Sequence, residues 1–341
     1  MNTFESLNIN CKNPLMRTII VSILPLFLVI FFVGCNSKKE ESKSYINTEY
    51  STYVRAFTSG EVSKSKSIKV FLTQPIDTNK FRIGEALPDD LFDLSPRMSG
   101  VARYSDPYSI EFVPDKWFES GEKYTVSFDL KSIAKDVPEK LKEFNFDFQI
   151  FELDYNILLK GIDKNSSYQK VNIGGEVIFS DLIDTTELTN LVQIDGVKGA
   201  TIQWKEINPL AYEFILKDCP RAEKEYAVRF KFDGSKIGVD KSSTEEFKIP
   251  ALGDFKVTDV NVDNGLQQSI TFNFSDPINN SQGVKSFFRM EGTTFKTVVS
   301  GNYVKIYPNV RQNGEKEVEV LAGLKNTNGA KMLKGSKHKL S

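Results

Sequence analysis

The chain has one histidine, His338, and three cysteines, Cys11, Cys35 and Cys219. Nucleophilic catalysis by Ser, Cys or Thr needs a positioned base, most often a histidine oriented by a third group. His338 lies in the Lys-rich stretch "KGSKHKLS" near the C-terminus and is expected in a frayed tail, so no catalytic residue is assigned. Cys219 precedes Pro220 in a turn-like stretch with no His or carboxylate pattern around it, and reads as a structural thiol. Carboxylates recur at matching places, Asp181 with Asp276 and Asp184 with Asn279. Calcium would want six or more oxygens there, and Gln74 replaces the aspartate in an earlier copy. Turn capping by Asp and Asn is the simpler account, and no metal is expected. "NIGGEV" (Asn172 to Val177) has a glycine pair but opens a strand with no helix behind it, so it is no phosphate loop and implies no cofactor. Trp117, in a loop, and Trp204, on a strand pattern, read either as sugar-stacking platforms or, more simply, as core and turn packing.

The elements that carry these residues repeat three times. "VFLTQPID" (Val70 to Asp77), "VIFSDLID" (Val177 to Asp184) and "FNFSDPIN" (Phe272 to Asn279) share alternating apolar residues followed by a polar turn. "YSIEFVP" (Tyr108 to Pro114), "AYEFILK" (Ala211 to Lys217) and "NYVKIYP" (Asn302 to Pro308) form a second set. "GEKYTVSF" (Gly121 to Phe128), "EKEYAVRF" (Glu223 to Phe230) and "GEKEVEVL" (Gly314 to Leu321) form a third. Period-two alternation marks half-buried strands. Pro75, Leu182 and Pro277 lie 107 and 95 residues apart, the size of a small β-sandwich. Helical signal is limited to single turns near 136–144 and 184–192. The fold expected is all-β: three tandem Ig-like sandwiches strung as beads, over 51–153, 154–253 and 254–341. The third copy lacks an apolar closing strand after "GLKNTNGAKML" and is expected to be truncated, with an open edge.

Between Arg17 and Lys38 no residue is charged. The run "TIIVSILPLFLVIFFVGC" is basic-flanked, interrupted by Pro25 and short for a membrane-spanning helix, so a signal peptide over 1–34 is preferred to a plain anchor helix. Its end, "FVGC", resembles a bacterial lipobox, which implies cleavage between Gly34 and Cys35 and lipidation of Cys35. Phe32 stands where leucine is usual. Met16 would make a natural start. Residues 35–50 are polar and without periodicity, a flexible tether. Within it, Lys39, Glu40 and Glu41 read as a surface-export signal or as plain solvated linker. With Cys35 acylated and Cys11 removed, Cys219 has no disulfide partner. A net charge of −1 without a basic face argues against nucleic acid as a partner.

The first unit carries more specific strings. "FTSG" (Phe57 to Gly60), and the pattern spelled by Ser95, Pro96, Gly100, Tyr104, Asp106, Ile110, Phe112 and Pro114, resemble the N-terminal region of Bacteroidota-type alpha-2-macroglobulin family lipoproteins. The resemblance spans about 16–341 and is most specific over 50–150. It implies an outer-membrane, lipid-anchored protein on the periplasmic or cell-surface face, within a protease-trapping system, with proteases or other envelope proteins as partners. The family's thioester needs a C-x-E-Q string, and this sequence has none, so the trapping chemistry does not carry over. The function expected is a non-enzymatic stalk of such a protease inhibitor, without bait region or thioester. The alternative is an Ig-like-repeat surface adhesin or glycan-binding lipoprotein.

Overall fold

The alternating apolar residues of the first unit form eight strands: β1 (Val54–Phe57), β2 (Glu61–Val62), β3 (Ile68–Leu72), β4 (Phe92–Ser95), β5 (Gly100–Asp106), β6 (Ser109–Pro114), β7 (Lys123–Asp129) and β8 (Glu143–Ile150). The computed structural model describes residues 48–341, apart from Thr78 and Lys80. Gly34, Cys35, Lys39, Glu40, Glu41 and the alternative start Met16 therefore lie outside the described residues. Among the described residues no helix is long and apolar enough to cross a membrane.

In the first sandwich one sheet has the order β1-β3-β6-β5 and the other β2-β8-β7-β4. The chain passes between sheets at "FTSG". Gly60, at φ +73°, takes a backbone conformation that side chains disfavour, and β2 then pairs parallel with β8. The second unit has β9 (Tyr155–Ile162), β10 (Lys170–Phe179), a one-turn helix α1 (Leu188–Leu191), β11 (Val192–Asp195), β12 (Thr201–Asn208), β13 (Ala211–Pro220), β14 (Tyr226–Asp233) and β15 (Ser242–Ile249). The third has β16 (Val257–Asp263), β17 (Ser269–Phe274), β18 (Phe288–Met290), β19 (Phe295–Ser300), β20 (Tyr303–Pro308), β21 (Lys316–Val320) and β22 (Ser336–Leu340).

The sheets of the second unit run β12-β13-β10-β9 and β11-β14-β15, and those of the third β16-β17-β20-β19 and β18-β21-β22. Lettered A to G in chain order, each is ABED packed on CFG, the constant-type immunoglobulin arrangement. The chain is thus a tandem array of Ig-like sandwiches. Its three repeated strings are the second, fifth and sixth strands of this plan, each of which has a neighbour on both sides in its sheet. Each sandwich has its own core, and the abundant phenylalanines fill it. Phe92 meets Phe128 at 4.9 Å, Phe214 meets Phe230 at 5.5 Å, and Phe272 meets Phe288 edge-on at 5.2 Å. Each such buried ring contributes about 1.5–3 kcal/mol.

Three expectations are corrected. The tether does not reach residue 50: Thr48–Thr52 form a short 3₁₀ turn. Tyr50 packs edge-on against Phe144 at 5.1 Å, and its hydroxyl donates to the Glu143 carbonyl, because an aromatic ring beside an apolar sheet edge is better buried than solvated. Second, the third sandwich has its closing strand. β22 pairs antiparallel with β21, from Lys316–Leu340 to Val320–Ser336. Its sequence did not announce it because Lys337 and Lys339 face water and only Ser336, His338 and Leu340 turn partly inward. Third, the sandwiches are not separate beads, since side chains of the second and of the third are bonded to the one before.

Candidate functional site

The junctions between sandwiches hold three of the four buried charged side chains among the described residues, Asp181, Arg221 and Asp276; the fourth, Glu111, is paired with Lys69 and Arg103 within the first sandwich. The first linker is short, running from the end of β8 at Ile150 to the start of β9 at Tyr155. Just after β10, Asp181 is 3% exposed. It accepts from the Ser63 hydroxyl at 2.6 Å and from the Lys64 amide at 2.8 Å, both in the first sandwich, and from its neighbouring Leu182 amide. A buried carboxylate is tolerable only when so satisfied. The Lys64 ammonium lies 4.9 Å from the centre of the Trp117 ring. Burial lowers the Lys64 pKa, against the opposing charges of Asp181 and Glu119.

Asp276 holds the same place after β17 and closes the second junction. It forms a 2.6 Å ion pair with Arg221, and both side chains are withdrawn from water, at 0% and 1% exposure. The Arg221 guanidinium also donates to the carbonyls of Pro250 at 3.2 Å, Ala251 at 2.6 Å and Tyr168 at 3.4 Å. The other Asp276 oxygen accepts from the Ser275 hydroxyl. Arginine suits this role because its planar fork serves several acceptors at once. Beside the pair, burial alone would lower the Lys256 pKa, but hydrogen bonds to Asp254 and Glu225 outweigh it and raise it.

The third sandwich also covers an edge of the second. β9 ends its sheet, and the unpaired carbonyls on such an edge invite other strands. Asn273 donates to the Lys160 carbonyl at 2.8 Å and Asn302 to the Ile162 carbonyl at 3.0 Å. Tyr303 stands at the same contact, its pKa pushed up to about 12 by burial first and by the Asp163 charge second.

The matching aspartates are therefore neither calcium ligands nor simple turn caps; they lock successive sandwiches together. Gln74, at the same place in the first sandwich, is exposed. Capping does describe the other pair. Asp184 accepts from the Thr186 amide and hydroxyl, and Asn279 from the Ser281 amide. Among the described residues no group of three His, Cys, Asp or Glu is placed to hold a metal ion. Arg221, Ser63, Asn273 and Asn302 were not singled out by sequence. The available signal was that Arg221 and Arg311 each stand five residues before the repeated sixth strand.

The remaining candidates are structural. Cys219 lies at the end of β13 rather than in a turn and is fully buried, and burial pushes its thiol up to about 12. His338 is not in a frayed tail: it lies on β22, edge-on to Phe272 at 5.5 Å and 2.8 Å from the Ser336 hydroxyl, and burial lowers its pKa. Trp204 packs on Phe214 at 5.5 Å. In "NIGGEV" a Cβ on Gly175 would come within 2.1 Å of the Phe214 ring, so the glycine makes room for the core.

The fold and its junctions define a multi-sandwich Ig-like protein. No family model and no curated protein matches the chain significantly. Among solved structures it is similar to domains 4–9 of the surface layer protein SbsC, at 10% identity and TM-score 0.29, over 83% of this chain and 45% of that one. It is also similar to titin domains I67–I69, at 8% identity and TM-score 0.22, over 83% and 94% of the two chains. L,D-transpeptidase 3 from Mycobacterium tuberculosis matches at 13% identity and TM-score 0.21, over 53% and 78%. Superpositions this loose carry no inference about activity.

Proposed function

We propose that the chain is a non-enzymatic, lipid-anchored envelope protein whose three sandwiches act as a stiff stalk. The observation that supports this is the pair of buried side-chain clamps, at Asp181 and at Arg221–Asp276, which turn three modules into one body. A stalk needs this property: it holds what it carries at a fixed distance from the membrane, and flexible beads would not. Cys35 is the proposed lipid attachment point. The resemblance to alpha-2-macroglobulin-type lipoproteins extends the proposal to a place beside a protease-trapping body, with proteases or other envelope proteins as partners.

A glycan-binding role is less favoured. The more exposed tryptophan, Trp117, has the Lys64 ammonium over its ring, where a sugar would stack. The anchor is tested by labelling the native host with a radioactive fatty acid. Cys35→Ala should abolish the labelled band, and its persistence would refute the anchor. Stiffness is tested by small-angle scattering of residues 48–341, which should give one extended shape rather than an ensemble of bent ones.

A further inference from the structure

Arg311 stands at the place of Arg221. Each lies five residues before the first residue of its sixth strand, Tyr226 in β14 and Lys316 in β21. Those two residues close the matching pairings with Ile249 and Leu340. Both guanidiniums are held by the loop between the first two strands of their own sandwich. Arg221 donates to the Tyr168 carbonyl, and Arg311 to the Asn264 and Gly265 carbonyls at 2.7 and 2.9 Å.

At the second junction the rest of Arg221 is consumed by the linker carbonyls and by Asp276, while the Leu252 amide donates to the Ala222 carbonyl. At the far end of the third sandwich, nothing among the described residues takes the place of Asp276. A cavity of about 280 Å³ opens there instead, lined by Val262, Ile270, Met290, Arg311 and Lys316. Leu266 and Val310 stand exposed beside it.

We propose that this end is a docking site for a further Ig-like sandwich, one with an aspartate in the turn after its second strand. The two closed junctions define the occupant's chemistry, because each is sealed by an aspartate at that one position. Arg311 and Lys316 supply the complementary charge, and Leu266 and Val310 the apolar rim. A second copy of this chain does not qualify through its first sandwich, where Gln74 replaces the aspartate. The inference deepens the stalk reading and rests on it for its purpose, but the contact is tested without the lipid anchor.

Two experiments decide it. In the first, the full chain is titrated with an octapeptide copying residues 272–279 and with the same peptide carrying Asn for Asp, reading the Arg311 Nε–H signal by NMR. The aspartate peptide should bind in the millimolar range and at least about tenfold more tightly than the Asn version, and Arg311→Ala should abolish the response. In the second, residues 250–341 are appended as a duplicate after Ser341, so that tethering supplies an effective concentration of about millimolar. Spin labels on the third and the added sandwich should give one narrow distance distribution that broadens with Arg311→Ala. Equal response to both peptides, or a distribution indifferent to Arg311→Ala, would overturn the proposal. So would self-association of the unextended chain that depends on Arg311, which would assign the site to a second copy. Loss of lipid labelling bears only on the anchor.

Discussion

Replacing Arg221 with alanine should uncouple the second and third sandwiches. The substitution leaves Asp276, 1% exposed, with Ser275 as its remaining side-chain donor. Removing one member of a buried ion pair typically costs about 3–5 kcal/mol, because the other charge stays buried and unpaired. The carbonyls of Pro250, Ala251 and Tyr168 lose their donor as well, at about 1 kcal/mol each where water does not replace it. Water entering the truncated site offsets part of this, so a total of about 3–5 kcal/mol is expected. With a urea slope of about 1–3 kcal/mol per molar for a small protein, the midpoint should fall by about 1 M or more. Trp204 fluorescence reports the second sandwich, and amide hydrogen exchange reports the third. Both should shift, and the joint transition should split in two. Asp276→Ala and the double variant complete a cycle, with a coupling of about 1–3 kcal/mol expected for groups in contact. Replacing both partners with apolar residues, Arg221→Met with Asp276→Leu, should be far milder than either single change. An Arg221→Ala protein within about 0.5 kcal/mol of the parent, typical of surface changes, or a cycle that is simply additive, would refute the clamp.

Other outcomes follow from the same geometry. Asp181→Ala should loosen the first junction and not the second, seen as a broadened distance distribution between labels on the first and second sandwiches alone. The third sandwich should lose stability as pH falls. Burial depresses the His338 pKa below the usual 6.5, so the unfolded chain binds the proton first, and the stabilisation present above about 6.5 declines as pH drops through that value toward the folded one. His338→Gln should flatten that dependence in urea melts at pH 5 and pH 7.5. In residues 48–341, Cys219 is the sole thiol; being buried and raised to about 12, it should react with a disulfide reagent only as fast as the second sandwich opens, whereas fast labelling in native buffer would contradict its burial. Gly175→Ala should destabilise the second sandwich by about 1–3 kcal/mol through overpacking against Phe214, measured by thermal melting.

How much of this was readable in advance depended on where a residue's partners lie in the chain. Central strands such as β7 announce themselves because Tyr124, Val126 and Phe128 alternate with polar residues within one short segment. β22 did not, because a half-buried edge needs few apolar residues, and "SKHKL" satisfies it with a histidine against Phe272. β12 is similarly polar, with most of its residues exposed. The repeated aspartates were visible as a repeat, but their work was not. Asp181 meets Ser63 from 118 residues away and Asp276 meets Arg221 from 55, and no local pattern encodes such distances.

The sequence by itself determined the all-β class, the three-fold repetition and the positions of the central repeated strands, because alternation and turn chemistry act over a few neighbouring residues. Only the tertiary structure decided what the repeated spacing of charge was for. Whether a carboxylate caps its own turn or clamps the preceding domain depends on which donors the fold brings within 3 Å. Asp184 finds the Thr186 amide two residues away, and Asp276 finds a buried guanidinium across a domain boundary.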